Sequence, residues 1–221
     1  MKRSKKYREA LKLIDQNKIY EISEAISILK KIKGSSKFDE TVELAFHLLV
    51  PKKGEITRGL IDLPHGTGKK VKILALVKGE KVKEAKDAKA DFVGFEEFLE
   101  KINKGWSDFN VVVTTPDCAK EVSKVGRYLG PKGLMPTPKA GTITNEIGER
   151  IEKIKKGQVQ FKMDEGGNIH LPVGKISFKE SDLIENINVT VTSVKNLLPK
   201  SQGIKSWSLS FTMSPSLRLK N

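Results

Sequence analysis

Cysteine is nearly absent from this chain: Cys118 stands alone among 221 residues, which excludes an internal disulfide and fits a reducing compartment. Three scattered histidines and one cysteine supply no spaced structural zinc site. No apolar run approaches the roughly 20 residues of a membrane span, and no amphipathic segment has a large apolar face for a bilayer surface. The basic start, Met1 to Arg8, has no apolar signal core behind it, so export is not expected.

Enzyme signatures are missing too. No Asp or Glu pairs with a histidine or cysteine in a recognisable catalytic arrangement. His65-Gly66-Thr67-Gly68-Lys69 resembles a phosphate loop, but the pattern needs Gly where Leu63 stands and Ser or Thr where Lys70 stands. The glycines of Gly126 to Gly133 are spaced wrongly for a dinucleotide fingerprint and follow a helical segment. Cys118 sits just inside a helix start and reads as a small packing residue. The expectation is a non-enzymatic protein without cofactor or metal. The competing reading is a nucleotide-binding enzyme of Rossmann type that uses the middle of the chain.

What the chain has is positive charge. Lys and Arg number 41 against 27 Asp and Glu, a net +14, and the excess is spread over the middle and both flanks. That favours a folded basic surface with a polyanionic partner, nucleic acid first.

Hydrophobic patterning divides the chain into two styles. Helices are expected over 4–16 and, capped by Ser23, over 24–33. An alternating strand follows from Phe38 to Val50, then a short one over Gly59–Leu63. From about residue 67 the strands become short continuous apolar runs, Val71–Val77, Phe92–Val93 and Val111–Thr114. They alternate with helices over 80–89, 95–102, 116–128 and, capped by Asn145, 146–156. The first style returns as a hairpin, 158–163 with 168–171, and then a segment whose strand propensity conflicts with helical spacing. Leu183, Ile187, Val191, Val194 and Leu198 decide it as a helix over 182–198. The fold class expected is α+β and α/β. A split α+β domain (1–66 with 159–221) would carry an inserted Rossmann-like α/β domain (67–158), with Gly66, Gly68 and Gly157 as hinges.

The last strand, Ser206 to Ser214, alternates Trp207, Leu209, Phe211 and Met213 with Ser206, Ser208, Ser210, Thr212 and Ser214. A core face is thus backed by a ladder of hydroxyls, groups suited to ribose and phosphate oxygens. Lys37, Phe38, Thr41 and Glu43, on or beside the outer face of the early strand, add a cation, an aromatic for stacking and a carboxylate acceptor. Lys175 is a further phosphate-attracting cation.

The Pro- and Gly-rich loop Leu129 to Gly141 resembles the signature of the ribosomal protein L-one family, the first-numbered large-subunit ribosomal protein. The likeness extends to Asn17-Lys18-Ile19-Tyr20, Phe38-Asp39-Glu40-Thr41-Val42-Glu43, Leu63-Pro64-His65-Gly66, Ala75 to Lys81, Pro172-Val173-Gly174-Lys175 and Thr212 to Ser216. It implies a two-domain protein whose split domain grips a stalk of large-subunit ribosomal RNA beside the exit site. RNA contacts carry over to Phe38, Thr41, Glu43, Ser206, Thr212 and Met213. Release of deacylated transfer RNA and repression of the protein's own operon messenger RNA are also implied. So is a cytoplasmic location on the ribosome, with a monomer off it. Two positions depart from the family pattern: Ser214 stands where Gly is usual and Thr137 where Asn is usual. At position 214 a Cβ would weaken RNA binding if the backbone there needed positive φ or a close approach.

Overall fold

A computed structural model of the chain describes residues 4–15, 18–32, 38–49, 57–199 and 203–220. In chain order the elements are α1 (Lys5–Lys12), α2 (Ile22–Ile32), β1 (Thr41–Leu49), β2 (Arg58–Asp62), β3 (Ile73–Leu76), α3 (Lys81–Asp87), β4 (Phe92–Gly94) and α4 (Glu96–Asn103). Then come β5 (Val111–Thr114), α5 (Pro116–Val122), α6 (Gly126–Leu129), α7 (Ile147–Lys156), β6 (Gln158–Lys162), β7 (Asn168–Lys175), α8 (Glu180–Leu197), β8 (Gly203–Phe211) and β9 (Leu217–Arg218). The chain divides into two compact units, Met1–Gly68 with Val159–Asn221, and Lys69–Gln158.

The first unit is built on a four-stranded sheet of order β7-β1-β8-β9, in which β1 pairs antiparallel with both β7 and β8. Period-two alternation sends Val42, Leu44, Phe46 and Leu48 of β1 inward, opposite the inward residues of β7 and β8. They join Ala25, Ile26 and Leu29 of α2 and Leu183, Ile187 and Val194 of α8 in one core. Each Val, Leu, Ile or Phe side chain among them contributes about 1.5–3 kcal/mol when fully buried. The cross-strand pair Phe46 and Trp207 stacks with ring centroids 5.8 Å apart and planes 7° from parallel. In α8 the helical spacing overrides the strand propensity of Asn188 to Thr192, because only a helix puts Leu183, Ile187 and Val194 on one buried stripe.

The second unit is a three-stranded parallel sheet of order β4-β3-β5. β3 is buried along its whole length, as a strand covered on both faces must be. Leu74 and Leu76 face a core with Phe98, Ile102 and Val122, while Ile73 and Ala75 face one with Ala85, Ile147 and Ile151. Cys118 is a buried free thiol in the former.

Several elements differ from the expectations, each for a local reason. α1 ends at Lys12, with Ser4 as its cap accepting from Tyr7 N–H at 3.2 Å. α2 starts one turn position before the expected cap: Ala25 N–H donates to Glu21 C=O, so Ser23 lies inside the first turn. The helix over 116–128 is broken at Ser123–Val125, where Ser123 Oγ donates back to Ala119 C=O at 2.9 Å and a 3₁₀ turn intervenes. Asn145 does not cap α7. Glu84 of α3 does so from a distance, its Oε1 accepting from Gly148 N–H at 2.9 Å. That bond, followed by the one from Lys81, holds the Glu84 carboxyl below the usual carboxylate range.

The expected hairpin forms its turn, with Asp164 N–H on Asn168 C=O at 2.9 Å, but the two strands separate: β6 pairs with β2 and β7 with β1. The last strand runs over 203–211 and then turns, so Met213 is 58% exposed instead of facing the core. The expected end of the first strand, Val50, and the expected stop of the second helix, Gly34, lie outside the described residues.

Candidate nucleic-acid interface

The antiparallel pairing of β1 with β8 turns two sequence patterns into a surface. On the face opposite the core, register sets Glu43 beside Ser210, Ala45 beside Ser208, and His47 beside Ser206. β7 extends these rows with Pro172, His170 and Asn168, and β9 places Arg218 beside Ser208.

At one end of this face the chain segment 38–41 is clamped from both sides. Asp39 accepts from Ser177, at 3.1 Å from the backbone N–H and 2.8 Å from the hydroxyl. Glu40, only 3% exposed, accepts from Met213 N–H at 3.0 Å, and its carbonyl accepts from Ile176 N–H. Thr41 N–H donates to Thr212 Oγ1 at 3.1 Å, and Lys175 Nζ donates to Thr41 Oγ1 at 2.9 Å and to Asp39 C=O at 3.3 Å. Because Lys175 fills an acceptor position of the Thr41 oxygen, the Thr41 hydrogen can serve an incoming acceptor. Beside these hydroxyls Phe38 is 55% and Met213 58% exposed, and the Glu43 carboxylate is exposed on the same face.

The structure thus brings Phe38, Thr41, Lys175, Thr212, Met213 and Ser214 to one end of the sheet, with Glu43 next along it. Ser206 lies further down β8, opposite His47. Lys37 lies outside the described residues. Sequence reasoning assigned no role to the two carboxylates that hold the site, Asp39 and Glu40. Parity offered a signal for one of them: Glu40 shares the inward phase of Val42 and Leu44, and a carboxylate on a core phase needs a donor.

A family model described as "Ribosomal protein L1p/L10e family" matches residues 29–215. The chain belongs to this ribosomal protein family. The large ribosomal subunit protein uL1 of Persephonella marina (strain DSM 14350 / EX-H1) is 49% identical to it over 226 residues, covering 99% of this chain and 93% of that protein.

Both departures from the family pattern find local uses. Ser214 is not among the residues with positive φ, so its Cβ meets no backbone penalty. Its Oγ accepts from Phe211 N–H at 2.9 Å and donates to Pro215 C=O at 3.0 Å, closing the turn that presents Thr212 and Met213. Thr137 Oγ1 accepts from Ala140 N–H at 3.3 Å, capping the 3₁₀ turn in the signature loop.

The glycines expected as hinges all have left-handed backbone, φ 64° at Gly66, 70° at Gly68 and 110° at Gly157. At Gly68 a Cβ would also stand 2.8 Å from Lys175 Cγ, so both conformation and space require glycine there. The Gly66 carbonyl is bonded by Asn186, which sequence reasoning passed over. This wholly buried amide donates to Gly66 C=O at 3.0 Å and Val173 C=O at 2.8 Å, and accepts from His65 N–H at 3.2 Å.

The middle unit carries the topology of a nucleotide binder without its electrostatics. Glu80 stands at the N-cap of α3 and Asp117 in the first turn of α5, beyond the carboxyl ends of β3 and β5 where a phosphate would sit. Lys78 is paired with Glu121 at 2.8 Å. Among the described residues no group of histidine, cysteine and carboxylate side chains is placed to hold a metal ion, and no helix is long and apolar enough to cross a membrane.

Proposed function

We propose that this chain is a constituent of the large ribosomal subunit, located on the cytoplasmic ribosome. It grips a stalk of large-subunit ribosomal RNA next to the exit site through the outer face of β1 and β8. The observation that carries the reading is the clamped cluster of Thr41, Thr212 and Lys175, flanked by exposed Phe38 and Met213. Its hydroxyls are held by the fold before any ligand arrives, so little ordering opposes binding. Thr41 and Thr212 serve ribose and phosphate oxygens, Phe38 stacks on a base or sugar, and Glu43 accepts from guanine amino groups or a 2′-hydroxyl. Ser206 and Ser214 belong to the same surface, and Lys37 and the wider positive charge attract phosphates. Family membership and the relative named above support the assignment to the large subunit.

On the ribosome, the bound stalk would accompany deacylated transfer RNA as it leaves, the glycines at 66, 68 and 157 letting the inserted domain move. The same surface would repress the protein's own operon by binding a messenger segment shaped like the ribosomal stalk. The protein acts by binding, without catalysis or cofactor, and is a monomer off the ribosome. The test is binding to a ribosomal stalk RNA fragment and to a scrambled duplex of equal length across a salt series. A preference for the stalk that persists at high salt supports the reading. Equal binding that vanishes with salt leaves only a basic protein meeting a polyanion.

A further inference from the structure

The signature loop, Leu129 to Gly141, takes no part in the sheet face described above. Its last residues are braced on β5, where Thr114 N–H donates to Thr142 C=O at 2.9 Å and Thr144 N–H donates to Thr114 C=O at 3.0 Å. Residues 137–142 also close on themselves: Thr142 Oγ1 accepts from Thr137 N–H at 2.9 Å and donates to Thr137 C=O at 3.2 Å. Ala140 C=O is bonded from another element. It accepts from Arg150 of α7, whose Nη2 lies 2.8 Å away.

The other arm of the same guanidinium reaches past the end of its own helix. Arg150 Nη1 donates to Oε1 of Gln158. Gly157 lies between them, capping α7 with left-handed backbone (φ 110°) and donating its N–H to Ile154 C=O at 3.2 Å. Gln158 is the last residue of the second unit, and the next residue, Val159, packs against the core of the first. A bond from Arg150 across Gly157 therefore fixes the direction in which the chain leaves α7. A guanidinium suits this task, because its donors form a rigid, permanently charged fork that holds two acceptors in one geometry. Both acceptors are neutral oxygens, so each bond is charge-assisted.

We infer that Arg150 is the latch of the chain crossing at Gly157, and that the signature loop sets it. With Ala140 C=O in place, the guanidinium is aimed at Gln158 and swing at this crossing is restricted. Displacement of the loop releases that aim and frees the crossing. The coupling is reciprocal, so movement at Gln158 also loosens the loop. The inference rests on the hinge reading proposed above; it adds the residue that controls the swing and gives the signature loop a task. The crossing at Gly66 is held differently, by side chains of α8: Asn186 bonds His65 N–H and Gly66 C=O, and Glu185 Oε2 lies 2.8 Å from His65 Nε2.

The experiment combines amide exchange with single-molecule energy transfer between dyes on Lys104→Cys and Lys195→Cys, one exposed position in each unit, Cys118 being buried. Arg150→Met removes both arms of the fork. Exchange at the Gly157 and Thr142 amides is then expected to rise about tenfold, as for a lost charge-assisted bond, and the dye distances should spread over a wider range. Arg150→Lys keeps the charge but has one nitrogen for two acceptors, so it should behave like Arg150→Met. Gln158→Met removes one arm only, yet exchange at Thr142 should still rise, by about threefold. Gln158→Glu strengthens the acceptor and should narrow the distances. Wild-type exchange and distances in Arg150→Met overturn the inference while leaving the hinge reading intact. Faster exchange confined to Gly157 in Gln158→Met overturns it as well, because the two arms then act separately. One fixed distance shared by wild type and every variant, with the exchange changes present, overturns the hinge reading itself.

Discussion

Lys175 Nζ lies 2.9 Å from Thr41 Oγ1, and this bond makes the lysine a positioning group for a hydroxyl instead of a freely solvated cation. Lys175→Met should therefore weaken stalk RNA binding by about tenfold, the worth of about one hydrogen bond. The salt slope should change less than in Lys37→Ala, since orientation is lost more than charge. A fluorescence binding series at several salt concentrations checks this. A slope change in Lys175→Met as large as in Lys37→Ala would return the lysine to the role of a plain phosphate contact.

Ser214 closes its turn through the bond from Phe211 N–H to Oγ. Ser214→Ala removes that acceptor and should cost about 1 kcal/mol in urea unfolding. Ser214→Gly should cost at least as much, because it also frees the backbone in the unfolded chain. An increase in stability on Ser214→Gly would show that the serine strains the turn.

Asn186 satisfies three backbone groups from inside the core. Asn186→Leu leaves them unpaired, so a loss of about 3 kcal/mol is expected. Amide exchange at His65 should accelerate well beyond exchange in β3 of the other unit. A variant within about 0.5 kcal/mol of wild type would mean that water replaces the amide.

The Asp164 carboxyl is held below its usual value of 3.8, first by the Asn168 N–H and then by the Asn168 side chain. A carboxyl whose folded pKa is depressed contributes stability above its unfolded pKa and loses it as pH falls through the folded one. The turn into β7 is therefore expected to weaken on acidification below the ordinary aspartate range, and Asp164→Asn should flatten that acid dependence. Carboxyl titration by NMR reads it directly: a midpoint at or above 3.8 would contradict the bond.

Much of this architecture was legible because its periodicities are strong. The continuous run at Val111 to Thr114 could only be a strand covered on both faces, and the spacing of Leu183, Ile187 and Val194 outweighed local β-propensity in α8. What was not legible depends on tertiary partners. The carboxylate that caps α7 comes from Glu84, 64 residues away, so no local signal near Asn145 could reveal it. The turn at Asp164 to Asn168 looks like a hairpin, yet β2 and β1 compete for its two arms and win. Met213 followed the parity of Phe211 in sequence, but the bond from its N–H to the Glu40 carboxylate ends the strand, and the side chain turns outward. Candidate contacts on β1 and β8 could be chosen from hydroxyl and aromatic parity. The clamp by Asp39 and Glu40 required knowing which strand ends meet.

The central claim is that the Thr41 and Thr212 end of the sheet recognises RNA by oriented hydrogen bonds, with charge supplying the attraction. The most direct measurement is stalk RNA affinity of Thr212→Val against wild type from low to high salt. The account predicts two parallel lines, the variant weaker by about tenfold at every salt concentration, as for a lost hydrogen-bonding group. Lines that coincide would contradict it, as would a difference that disappears at high salt.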